Sequence, residues 1–209
     1  DLGEGFAWFE PPAAAALERA SGLLQDLGAI TAEGITETGR QMSRFPLHPR
    51  FARMLLAAAE NHCVREAALC AAIAQGREIL MAGKNDSTHK NDDLWEPGDV
   101  SEFQAMLRAF TRAEAMNFDP NACAPLRIHA MAAREAARSC EQFLRIAKRA
   151  GLPVNDEVAS PEALARTLLA AFSDHLGIET SGGSRIYRLA GGYTGHLDKD
   201  AHIKAPRLL

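Results

Sequence analysis

The sequence lacks any apolar run approaching the ~20 residues needed to span a bilayer. Its first residues, DLGEGFAWFE, lack the basic-then-apolar pattern of a secretory signal, and they lack a starting Met. The expectation is therefore an internal cut or a processed end. Cysteine is scarce: Cys63, Cys70, Cys123 and Cys140 form no CxxC pair and no zinc-ligand spacing. Three of them sit in alanine-rich helical contexts, where a buried reduced thiol is the expected role and the cytoplasm the expected compartment. There is no excess of positive charge either. The net of −4 argues against a wholly basic nucleic-acid binder.

What is present is a substantial apolar fraction, 47% of 209 residues, enough for one large domain or two to three small ones with a real core. Charge is segregated along the chain. Residues 1–39 hold seven acids against Arg19 alone, a net of −6, whereas residues 40–53 hold Arg40, Arg44, Arg50 and Arg53 and no acid, a net of +4. Residues 85–120 hold eight acids against three bases, a net of −5. Residues 127–149 hold six bases against Glu135 and Glu141, a net of +4. Local fields can favour phosphate where the whole chain does not.

The expected fold is mainly α, in three units. Residues 1–62 read as a winged helix: a helix over about 12–27 stopped by Gly28, a short hairpin over 29–36, and helices at about 37–44 and 49–60. Residues 63–175 read as a helical bundle. Its expected parts are a helix within 64–81, a polar loop over 83–98, a helix at 99–116, a long helix at 124–150 and a last helix opened by Ser160–Pro161–Glu162. In the long helix Leu126, Ala130, Ala133, Ala137, Cys140, Leu144 and Ala147 alternate steps of four and three, one continuous apolar stripe. Arg127, Arg134, Arg138, Arg145 and Arg149 share a second stripe, exposed or facing a ligand. Residues 176–209 read as three or four short strands turned at Gly182–Gly183 and Gly191–Gly192, too few to close a small barrel.

The order of these motifs resembles the tail of DEAH-box helicases. There an aromatic and a proline lead a helix ending in Leu-Gly-Ala, followed by Thr-x-x-Gly-Arg and Pro-x-x-Pro-Arg. The present chain has Phe6, Pro11–Pro12, Leu27–Gly28–Ala29, Thr36–Gly39–Arg40 and Pro46–Pro49–Arg50 in that order. PLHPRFARMLL (46–56) and YRLAGGYTG (187–195) are most similar to the bacterial HrpB-type branch. The resemblance implies a winged helix, a helical ratchet or helicase-associated domain, and the beginning of an oligonucleotide-binding-like barrel, cut within that last domain. It implies an accessory module that helps hold and ratchet single-stranded RNA or DNA. RecA-like motor domains of the parent protein would hydrolyse ATP with Mg. It implies that Arg134, Arg138 and Arg145 line the strand's path. Arg40, Arg50 and Arg53 are weaker candidates for the same strand contact, the alternative being that arginines beside Pro46 and Pro49 tie the winged helix to a motor domain.

The chain itself is expected not to be an enzyme and to hold no cofactor. No DEAH tetrad occurs, and the nearest approach to a phosphate loop, Gly76 to Lys84, is too long and bulky, with Asn85 where Ser or Thr should hold magnesium. Asp86, His89, Asp92 and Asp93 lack metal-ligand spacing and read as a solvated loop. Trp8 and Trp95 read as covering core edges, with stacking on a base the other use of Trp95. Two alternatives stand beside the helicase reading. One is a stand-alone winged-helix regulator, disfavoured by the short 37–44 and apolar 49–60 helices. The other is a structural adaptor, which would need neither the arginine stripe nor the incipient barrel. The expected partners are the RecA-like motor domains of the same parent chain and single-stranded RNA or DNA, with no membrane partner.

Overall fold

Caps and glycines set the element boundaries in the computed structural model. It describes residues 7–81, 94–155, 159–198, 201–203 and 205, with the backbone of 207–208. The phosphate-loop-like segment beyond Met81 and the Asp86–Asp93 group lie outside the described residues. Helix α1 (Ala14–Asp26) ends where Gly28 takes φ +67 and Ala29 N–H bonds back to the Leu24 carbonyl at 2.8 Å. Strands β1 (Ile30–Thr31) and β2 (Gly34–Ile35) form the small hairpin, with Ile30 opposite Ile35.

Helix α2 (Glu37–Met42) explains the Thr-x-x-Gly-Arg motif. The Thr36 hydroxyl accepts from Gly39 N–H at 3.0 Å, capping the helix, and donates to the Gly28 carbonyl at 2.6 Å. Gly39 is buried, and a Cβ there would collide with the Ala29 carbonyl. The glycine is what lets α2 lie against the hairpin's first strand.

Helix α3 (Pro49–Glu60) has Pro49 in its first turn and the His48 ring accepting from Arg50 N–H. It packs against α4 (Val64–Gln75) and, more extensively, α8 (Pro161–Phe172). The third helix of the expected first unit thus rests on the bundle. The largest helix contact joins α4 to α7 (Ala130–Arg149). Ala67, Ala68, Ala71 and Ala72 on α4, like Ala132, Ala133, Ala136 and Ala147 on α7, are buried, and such small side chains permit close approach. Helix α5 (Glu102–Ala115) begins with a full capping box made by Ser101 and Gln104.

The long helix is shorter than expected. Residues 124–129 are not part of it. Helix α6 (Pro120–Cys123) runs into a 3-10 turn over Ala124–Leu126; Arg127 then takes φ 54, and Ile128 pairs with Leu80 in an antiparallel bridge. Pro125 cannot donate a backbone hydrogen bond, and the left-handed Arg127 turns the chain off the helical path. Likewise the helix expected within 64–81 stops at Gln75, so Ile79 and Leu80 reach the core and the bridge as extended chain.

Strands β3 (Gly177–Glu179), β4 (Ile186–Leu189), β5 (Thr194–His196) and β6 (Arg207–Leu208) make one antiparallel sheet in the order β5-β4-β3-β6. Among the described residues its edge strands, β5 and β6, do not pair with each other. Among the described residues no helix is long and apolar enough to cross a membrane.

Candidate nucleic-acid interface

Helix α7 is two-sided. Ala130, Ala133, Cys140 and Ala147 of the expected apolar stripe are buried, joined by Ala132, Ala136 and Phe143, while Ala137 and Leu144 are half-buried. On the opposite side Arg138, Arg145 and Arg149 are exposed. The steps from 138 to 145 to 149 are seven and four, so the three guanidinium groups share one helical face. None forms an ion pair or hydrogen bond with another described residue, and neither Glu135 nor Glu141 pairs with Arg138 or Arg145. The helix C-terminus lies at the Lys148–Arg149 end, where cations are favoured by the helix dipole.

The other sequence-predicted arginines are placed differently. Arg134 is half-buried: it donates to the Asn117 carbonyl at 3.2 Å and lies 6.0 Å over the Phe118 ring. Asn117 and Phe118 both take positive φ, so Arg134 braces a tight turn after α5. Arg127 leaves the stripe altogether with the left-handed turn. Arg40 is exposed on α2, paired with Glu37 three residues earlier at 3.4 Å. Arg53 is half-buried on α3.

Arg50 is engaged within the chain. Its two terminal nitrogens grip both carboxylate oxygens of Asp174 at 2.6 Å each, and one also donates to the Ala171 carbonyl at 2.9 Å. The guanidinium stacks 5.3 Å over Phe172. This fork holds the start of α3 to the end of α8. The Arg50 hydrogen bonds, with Arg50 and His175 charges assisting, hold the Asp174 carboxyl below its ordinary value against the opposing effect of burial. Asp174 O also accepts from Gly191 N–H at 2.9 Å, so the same turn carries the sheet. Arg50 is thus engaged inside this chain, at the end of α8.

The four cysteines are free and buried. Burial pushes the Cys70 thiol far up and that of Cys140 up to about 11, so neither offers a thiolate near neutrality. Among the described residues no group of His, Cys, Asp and Glu could hold a metal ion. Trp95 stacks on His202 at 3.9 Å and 7°, and Arg108 binds Asp99, Glu96 and the Leu94 carbonyl. The edge reading of Trp95 thus holds, through a partner that sequence separation concealed. A small cleft between α4 and α7, beside the arginine face, went unseen in the sequence because its lining comes from three separate segments.

Residues 22–47 match the family "Helicase associated domain (HA2), winged-helix", and residues 48–149 match "Helicase associated domain (HA2), ratchet-like". Residues 22–149 are a helicase-associated (HA2) region. The family boundary at 47/48 puts α3 with the ratchet-like part, in keeping with its packing on α4 and α8. The HA2 chain is 29% identical over 189 residues to ATP-dependent RNA helicase HrpA of Escherichia coli, covering 83% of this chain and 14% of that protein. It is 50% identical over 60 residues to the probable ATP-dependent RNA helicase DHR1 of Saccharomyces cerevisiae, covering 28% of this chain and 5% of that protein. The crystal structure of the E. coli DExH-box NTPase HrpB shares the fold: TM-score 0.59, 22% identity, 96% of this chain and 19% of that one. The HA2 chain therefore spans a small part of the length of these relatives.

Proposed function

We propose that this HA2 region is an accessory module of an ATP-dependent RNA helicase that holds single-stranded nucleic acid along the exposed face of α7. RecA-like motor domains of the same parent protein, with ATP and Mg, would supply the hydrolysis and the motion. The observation that carries this reading is the face formed by Arg138, Arg145 and Arg149: cationic, exposed, free of ion pairs with described residues, and backed by a helix whose opposite side is locked into the core. A row of guanidinium groups on a fixed helix suits phosphates, which position a strand without reading its sequence. Arg134 extends the row from a braced position. Arg40 and Arg53 remain secondary candidates on α2 and α3, and Arg50 supports the bundle. The cleft-lined flank and fixed backing let the face act as a strut against which a strand is gripped between motor steps.

The test replaces Arg138 and Arg145 by Ala in the helicase that carries this region. RNA-stimulated ATPase and unwinding should fall while basal ATPase stays near normal. Unchanged RNA affinity and unwinding would reduce the row to an ordinary solvated helix face.

A further inference from the structure

The cleft between the end of α4 and the middle of α7 has a volume of about 210 Å³. That is below the ~300–1,000 Å³ of sites for drug-sized ligands and suits a single ring system. Its floor is apolar, with Phe143, Ala72 and Leu47, and its rim is polar, with Gln75, Ser139 and Gln142. Gln75 donates through Nε2 to the Ala71 carbonyl at 3.3 Å, which fixes the amide and leaves its oxygen as an acceptor. Gln142 is exposed and offers both a donor and an acceptor. Gly76 closes α4 at the mouth, where a Cβ would stand 3.0 Å from the Ala72 carbonyl. An apolar floor with a polar amide rim suits a heterocycle with donors and acceptors on its edge.

The position of Gln142 connects this cleft to the arginine face. It lies four residues after Arg138 and three before Arg145, so it shares their side of the helix. Ser139 and Phe143, next to Arg138 and Gln142 in sequence, turn toward α4. We propose that the cleft receives one unstacked nucleobase of a strand whose phosphates lie on Arg138 and Arg145. This rests on the strand-holding reading above and adds a base-sized step to it. A base seated there holds the strand against sliding more firmly than phosphate contacts alone.

The test measures binding of the 209-residue chain to a labelled single-stranded oligonucleotide and to an abasic phosphodiester chain of equal length. The wild-type chain should bind the base-bearing strand more tightly. Gln142→Leu should weaken that binding about threefold to tenfold and leave abasic binding unchanged. Arg138→Ala should weaken both ligands alike. Gln142 is exposed, so its replacement should keep the thermal midpoint, which serves as the folding control. Equal wild-type affinity for the two ligands, or a Gln142→Leu loss shared by both, overturns the base site while leaving strand binding intact. Absence of binding to either ligand overturns the strand-holding reading and the base site with it.

Discussion

Asp174 shows how one side chain joins two parts of the molecule. Its carboxylate is gripped by Arg50 from 124 positions away in sequence, and its backbone carbonyl holds Gly191. The folded state keeps this carboxyl below its ordinary value of 3.8, first through the Arg50 hydrogen bonds. A depressed folded value means stability that is present above the unfolded value and lost as pH falls through the folded one. The contribution is therefore intact at neutral pH and fades only below about pH 4. Asp174→Asn keeps the shape and removes the charge, and should cost about 1.5–3 kcal/mol at neutral pH. The deficit should shrink in acid as the wild-type carboxyl protonates. Urea unfolding of both proteins at neutral and acid pH measures this, and equal midpoints at neutral pH would mean the fork carries no net stability. No sequence pattern pairs position 50 with position 174. The Thr36–Gly39 pair was visible as a motif, and its meaning, a cap and a missing Cβ against Ala29, came only with the hairpin's path.

At the scale of elements, α7 is held by small side chains, and the cost of enlarging one depends on its side of the helix. Ala133 is fully buried, whereas Ala137 is half-buried near the edge of the contact. Ala133→Leu should overpack and cost about 1–3 kcal/mol, with Ala137→Leu costing clearly less. Thermal or denaturant unfolding of the two variants gives the comparison, and equal tolerance of both would contradict close packing along this face. Most helices were legible because their ends carry chemical signals, such as Pro49 after His48 and Ser160–Pro161 before α8. The start of α7 was misread because Leu126 continues the apolar period by coincidence. Pro125 was the overlooked warning, and the left-handed Arg127 and the Leu80–Ile128 bridge are tertiary choices that no local window contains. The Gln75–Ser139–Gln142 cleft was illegible for the same reason, since it exists only where two helices and the 47 segment meet.

For the whole molecule, the decisive quantity is where charge lies and not its total. A net of −4 with an acidic N-terminal unit repels a polyanion at long range, while the α7 face attracts it locally. The isolated chain should therefore bind single strands weakly, with little sequence preference, through few phosphates. Each phosphate neutralised on a single strand contributes about −0.7 to the slope of log affinity against log salt, so three arginines on three phosphates give a slope of about −2. Replacing Arg138, Arg145 and Arg149 one at a time by Ala should lower the magnitude of the slope by about 0.7 at each step. Arg50→Ala should instead lower stability, because its guanidinium is occupied by Asp174, and should leave the slope of the folded chain unchanged. A salt titration of binding, run beside a thermal melt for each variant, separates the two kinds of arginine. A slope near zero with the α7 face intact would favour the adaptor reading, and a slope that responded to Arg40 or Arg53 instead of the α7 row would move the strand's path to the winged helix.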